Sequence, residues 1–120
     1  MHWKIDSNRP VYMQIMEHIR SAVLSNEFPP GSRIPSVREL AAIANVNPNT
    51  MQRAMAELEQ QRLLVSTGTL GRFVTEDKAV IDALRQQAIQ EAVQSCATRF
   101  QELGLSMQEA AKLLLQEGSV

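Results

Sequence analysis

The chain has 120 residues, 44% of them hydrophobic and 21% charged, with a formal net charge of −1. That length suits one domain with an appendage and is short for two full domains. No apolar run is long enough to span a bilayer, the first residues carry no apolar signal segment, and the single Cys96 cannot form an internal disulfide, so a cytoplasmic, reducing location is expected and a membrane or disulfide-stapled class is excluded.

Trp3 and Ile5 alternate with His2 and Lys4, the period of a half-buried strand at residues 2–6. His2 has no cysteine or carboxylate at ligand spacing and reads as solvated; Trp3 reads as a core or interface anchor. Pro10 suits the first turn of a helix whose apolar stripe is Tyr12, Ile15, Met16, Ile19, Ala22 and Val23, with His18 off the stripe and expected to be exposed. Glu27 to Arg33 contains Pro29, Pro30 and Gly31. Phe28 and Ile34 flank these residues, which predicts a rigid corner packed on the helices in place of a flexible linker.

Ser36 and Glu39 have the S-x-x-E spacing of a capping box, and Val37, Leu40, Ala41 and Ala44 continue at helical spacing. Asn45 tolerates the left-handed conformation of a helix end. Asn47-Pro48 then supplies an N-cap and a proline at the first helical position, with Val46 and Met51 placed for a hydrophobic staple. Two helices joined by Asn45-Val46-Asn47 have the connection of a DNA-binding helix-turn-helix. In the second helix Met51, Ala54, Met55 and Leu58 form the buried stripe, while Asn49, Thr50, Gln52 and Arg53 lie away from it. Amides pair with adenine, guanidinium with guanine, and threonine with several partners. A helical hairpin with a merely solvated polar side is the competing interpretation of these residues.

Leu63 to Thr67 and Arg72 to Thr75 are β-rich segments around Gly68-Thr69-Leu70-Gly71, predicting a hairpin, the wing, to which Trp3–Ile5 could add a third strand. Arg72 is the one charge near its tip. From Glu76 to Leu103 the pattern is helical, with Ile81, Leu84, Ala88, Ala92, Cys96, Phe100 and Leu103 on one face; Cys96 reads as a buried structural thiol. Gly104 stops this helix, and Ser106 with Glu109 caps another that carries Met107, Ala110, Ala111 and Leu114. These two helices either fold back on the N-terminal domain or pair with those of a second chain; pairing is the expectation, because so wide an apolar surface needs a cover. Charge is uneven. Residues 1–75 hold eight Lys/Arg against six Asp/Glu, and residues 76–120 hold four against seven. DNA affinity should therefore come from placed contacts and dimerisation more than from a charged patch.

Taken together, the chain resembles the GntR family of bacterial transcription regulators. The resemblance is carried by Pro10-Val11-Tyr12-Met13-Gln14-Ile15, by Pro30 through Ala41, by Val46 through Ala54, by Leu58-Glu59 and by Gly68 to Val74. The Val46-to-Ala54 form and the short helical tail look like the YtrA subfamily. The resemblance implies a mainly α fold with a small β-wing: a winged helix-turn-helix at residues 1–75 and a two-helix dimerisation tail at 76–120. It also implies a homodimeric regulator, usually a repressor of operons for ABC-type transporters; no enzyme activity or cofactor is expected, because no nucleophile–base pair or metal-ligand cluster is present. By matching positions, DNA contacts fall to Arg38, Asn49, Thr50, Gln52 and Gly71. The residue reading adds Ser36, Asn47, Arg53 and Arg72, and assigns Ile81, Leu84, Ala88, Phe100, Leu103 and Leu114 to dimerisation. Many relatives have arginine where Pro48 and Gln52 stand here, so their guanine contacts do not transfer. The expected partners are a double-stranded DNA operator and a second copy of the chain, with no membrane. An unidentified small-molecule effector would have to bind between subunits or against the DNA-binding domain. The alternative function is a winged-helix protein-interaction module.

Overall fold

A computed structural model describes residues 3–118. The elements in order are α1 (Val11–Leu24), α2 (Val37–Ala44), α3 (Pro48–Gln60), β1 (Leu64–Ser66), β2 (Arg72–Val74), α4 (Lys78–Glu102) and α5 (Met107–Gly118). They form two compact units, one ending at Leu84 and one beginning at Arg85.

The first unit is built on α3, which packs against α1, α2 and β1. Ile15 and Ile19 of α1, Leu40 of α2, and Met51, Met55 and Leu58 of α3 are fully or almost fully buried. Local chemistry sets the helix ends. The Ser36 Oγ accepts from the Glu39 N–H at 3.2 Å, and Glu39 Oε1 accepts from the Ser36 N–H at 3.4 Å, which closes the capping box. Asn45 ends α2 in the left-handed region at φ 55°. Asn47 Oδ1 accepts from the Asn49 N–H at 2.8 Å and starts α3. Because Asn45 holds a positive φ, Asn45→Gly should leave stability within a few tenths of a kcal/mol, whereas Asn45→Val should cost about 1–2 kcal/mol in thermal unfolding.

The wing pairs Leu64 with Val74, Val65 with Phe73 and Ser66 with Arg72 in antiparallel register. A short 3₁₀ turn, Gly68–Leu70, connects the strands. The third strand expected at Trp3–Ile5 does not form; His2 lies outside the described residues. Residues 31–34 take that place. The Gly31 N–H donates to the Val74 carbonyl at 2.9 Å, the Val74 N–H to Ser32 at 2.9 Å, and the Ile34 N–H to Arg72 at 3.0 Å. The Pro29-Pro30-Gly31 corner, with Gly31 at φ 78°, turns these residues alongside β2. Residues 3–6 are fastened to α1 instead. Gln14, 2% exposed, accepts from the Asp6 N–H at 2.7 Å and donates to the Asp6 and Arg9 carbonyls. Trp3 is buried in the core and stacks on His18, with ring centroids 5.4 Å apart. His18 is thus half-buried, where periodicity alone suggests an exposed ring.

In the second unit, Ser106 and Glu109 complete their capping box at 3.1 and 3.2 Å, and the Ser106 hydrogen bonds hold the Glu109 carboxyl below the usual carboxylate range. An apolar groove of about 390 Å³ runs between the later part of α4 and α5, with Cys96, Phe100 and Leu114 among its walls. Cys96 is therefore a half-buried groove residue and not a core thiol.

Candidate nucleic-acid interface

The polar residues of α3 share one side of the helix. Asn49, Gln52 and Arg53 are exposed and Thr50 is half-buried, while Met51, Ala54, Met55 and Leu58 are buried opposite them. A helix rigidly seated by four apolar residues presents its polar side with little freedom left to lose on binding. Ser36 and Arg38 stand exposed at the N-terminal end of α2. There the first backbone N–H groups lack intrahelical partners and attract anions such as phosphate. The oxygens of Ser36 and Asn47 are occupied in capping. Each keeps a donor, the hydroxyl hydrogen of Ser36 and the amide N–H groups of Asn47, for a phosphate oxygen.

Two arginines are held by neighbours distant in sequence. The Arg53 guanidinium lies 3.8 Å from the centre of the Tyr12 ring. Stacking uses the face of the guanidinium and leaves its in-plane donors available. Arg72, expected to serve the wing at its tip, is already paired. Its Nε donates to Glu59 Oε1, and its side chain is only 19% exposed. Glu59 also accepts from the Ser66 hydroxyl. The Ser66 hydrogen bond contributes most to holding the Glu59 carboxyl below its ordinary range, against the opposing effect of burial and with help from Arg72. Arg72 Nη1 continues to Gln52 Oε1 at 3.4 Å. The wing is thus tied to α3 by a charged link, and any DNA contact by Arg72 is made by a group already paired.

The position beside the wing tip belongs to Arg33, which sequence reasoning missed. A Cβ placed on Gly71 would stand 3.0 Å from Arg33 Nε. Gly71 itself adopts φ 109° and ψ −161°, a region open almost only to glycine. Arg33 is exposed while Ile34 beside it is buried, the alternation of a strand. That two-residue signal is too short to read without knowing that β2 lies alongside.

On the tail, Ile81 is 8% exposed within the core of the first unit and Leu84 packs against that core. Neither presents the free apolar face assigned to it by spacing. Ala88 and Phe100 are half-buried, and Leu103 and Leu114 are exposed at 59% and 51%.

The Bacterial regulatory proteins, gntR family, match residues 11–74, more than half of the chain and the whole helix-turn-helix with its wing. This chain is a member of the GntR family. It is accordingly a DNA-binding transcription regulator and not an enzyme. Among curated relatives, an uncharacterized HTH-type transcriptional regulator, YhcF of Bacillus subtilis, is 33% identical over 88% of each chain. The HTH-type transcriptional repressor YtrA of Bacillus subtilis is 37% identical over 59% of this chain and 55% of its own. A GntR family transcriptional regulator from Listeria monocytogenes superposes with a TM-score of 0.83 at 30% identity, covering 97% and 99% of the two chains. The DNA-binding domain of AraR, in complex with operator ORX1, superposes with a TM-score of 0.55 at 28% identity over 62% of this chain and 99% of that one. GntR membership places the helix-turn-helix in a DNA-binding role, and likeness to YtrA sets the chain among YtrA-like members.

Proposed function

We propose that this GntR protein is a cytoplasmic homodimeric repressor that reads a pseudo-palindromic operator through two copies of α3. The observation that carries the reading is the exposed side of α3, where two amides, a hydroxyl and a guanidinium are fixed by a buried stripe. Asn49, Thr50, Gln52 and Arg53 enter the major groove. Ser36, Arg38 and Asn47 hold phosphates, and Gly71 with Arg33 and Arg72 brings the wing to the backbone. The likeness to YtrA, a repressor by name, supports the direction of control. The subfamily resemblance supports an ABC-transporter operon as the target. Dimerisation rests on the tail. Val93, Leu114 and Leu115 are 63%, 51% and 75% exposed, an apolar surface that a second copy would cover. Among the described residues no helix is long and apolar enough to cross a membrane. Any small-molecule effector would bind between subunits or against the first unit.

Selection of duplex DNA from a random library by the full chain is the test. Two half-sites related by a dyad and centred about 34–36 Å apart or a multiple of it are expected. No enrichment at low salt would instead favour a protein-interaction role. Arg38→Ala should weaken all sequences alike and reduce the salt slope by about one, because it removes one phosphate contact. A change in the preferred bases on Arg38→Ala would move that residue from the backbone to a base edge.

A further inference from the structure

The side chain of Gln52 is engaged by the wing. Its Oε1 accepts from Arg72 Nη1 at 3.4 Å. Arg72 is itself fixed through Nε by Glu59, which the Ser66 hydroxyl also holds. The link therefore runs from the far half of α3, through the wing strand, back to the exposed half of α3. Glu59 and Arg72 are 30% and 19% exposed in their side chains, so the pair is shielded from much of the solvent screening that weakens surface ion pairs. An amide whose oxygen is engaged leaves its two N–H donors for another partner. Gln52 is exposed, and its nitrogen has no partner among the described residues.

We propose that Glu59 and Arg72 act as positioning residues that set Gln52 as a hydrogen-bond donor, so that the base opposite it must offer an acceptor on its major-groove edge. This rests on α3 being the base-reading helix. Guanine, adenine and thymine each present an acceptor in the major groove, whereas cytosine presents its N4 donor. Cytosine is thus the excluded base on the strand that Gln52 reads. A paired Arg72 adds less to phosphate attraction than a free guanidinium would, so its larger effect is on specificity, beside its place on the wing. Arginine is required because one planar group spans two acceptors; a lysine ammonium keeps the charge but is a single point on a flexible stem.

The experiment selects random duplex DNA with the wild-type chain and with Gln52→Ala, Glu59→Ala and Arg72→Lys, each checked for folding by thermal unfolding. In the wild type, cytosine should be disfavoured roughly 5- to 100-fold at one position and its dyad mate. Gln52→Ala should reduce this to about twofold or less. Glu59→Ala and Arg72→Lys should relax the same position and leave the remaining sequence preference intact. Glu59→Ala should in addition steepen the salt slope by up to about one, since it releases Arg72. If Glu59→Ala and Arg72→Lys lower affinity for every sequence alike, or relax a position that Gln52→Ala does not, the pair is a structural brace and the proposal fails. If Gln52→Ala changes nothing while the wild type still selects a site, the donor role of Gln52 fails. A wild type that enriches no sequence at all overturns base reading by α3, and the positioning role with it.

Discussion

Leu58→Ala is expected to destabilise the first unit by about 2–5 kcal/mol and to lower its Tm on the order of 10–30 °C. Leu58 has 0% exposure and sits on the helix that packs against α1, α2 and β1. Truncation there leaves a cavity under the exposed polar side of α3 that neighbouring helices cannot fill without moving. The loss is a large share of the roughly 5–15 kcal/mol that holds a domain together. Leu70→Ala is the control. Leu70 is a leucine at the wing tip with 67% exposure, and its truncation should change stability by no more than about 0.5 kcal/mol. Thermal unfolding of both variants separates the cases: equal shifts would contradict the packing described for α3. DNA affinity of Leu58→Ala should recover on cooling, because the exposed polar residues of α3 proposed to read DNA are untouched.

Removing the tail should separate dimerisation from folding. A chain ending after Leu84 keeps Ile81 in the core and should fold, sediment as a monomer and bind a half-site. For the homodimer proposed above, affinity for a two-half-site operator should fall by roughly 10²–10⁴-fold, since the second half-site is no longer engaged at high effective concentration. A chain cut at Asp77 should behave differently. It removes Ile81, opens the core and lowers Tm as well as affinity. The decisive measurement is sedimentation of the longer chain: a persistent dimer would place the interface in the first unit and leave the exposed leucines of α5 without that role.

Much of the architecture is written in short-range signals. The Ser36–Glu39 and Ser106–Glu109 boxes, the left-handed Asn45 and the Asn47-Pro48 start all act within three or four residues, and all occur where spacing puts them. The buried stripe of α3 follows from the helical period alone. The candidate site was less legible. Arg72 looks free along the chain, but its partner Glu59 is 13 residues away, and Gln52 is 20 away. Arg53 rests on Tyr12 of another helix. Each pairing depends on where whole elements come to rest.

The third strand did not form where alternation placed it, and the packing of Ile81 was equally hidden from periodicity. Trp3–Ile5 has the alternation of a strand, and Arg33-Ile34 carries a briefer one. Gln14 and His18 hold the first against α1, and the corner at Gly31 delivers the second to β2. Ile81 fits the apolar stripe of a dimer helix, yet its burial belongs to the first unit. The sequence by itself determined which segments are helices, where they cap, which side of α3 is polar, and the family. Only the tertiary structure decided which strand completes the wing, which arginine stands beside its tip, and that Gln52 accepts from Arg72. Caps and periodicity act between near neighbours along the chain, whereas these contacts join groups that meet only once the apolar faces have packed.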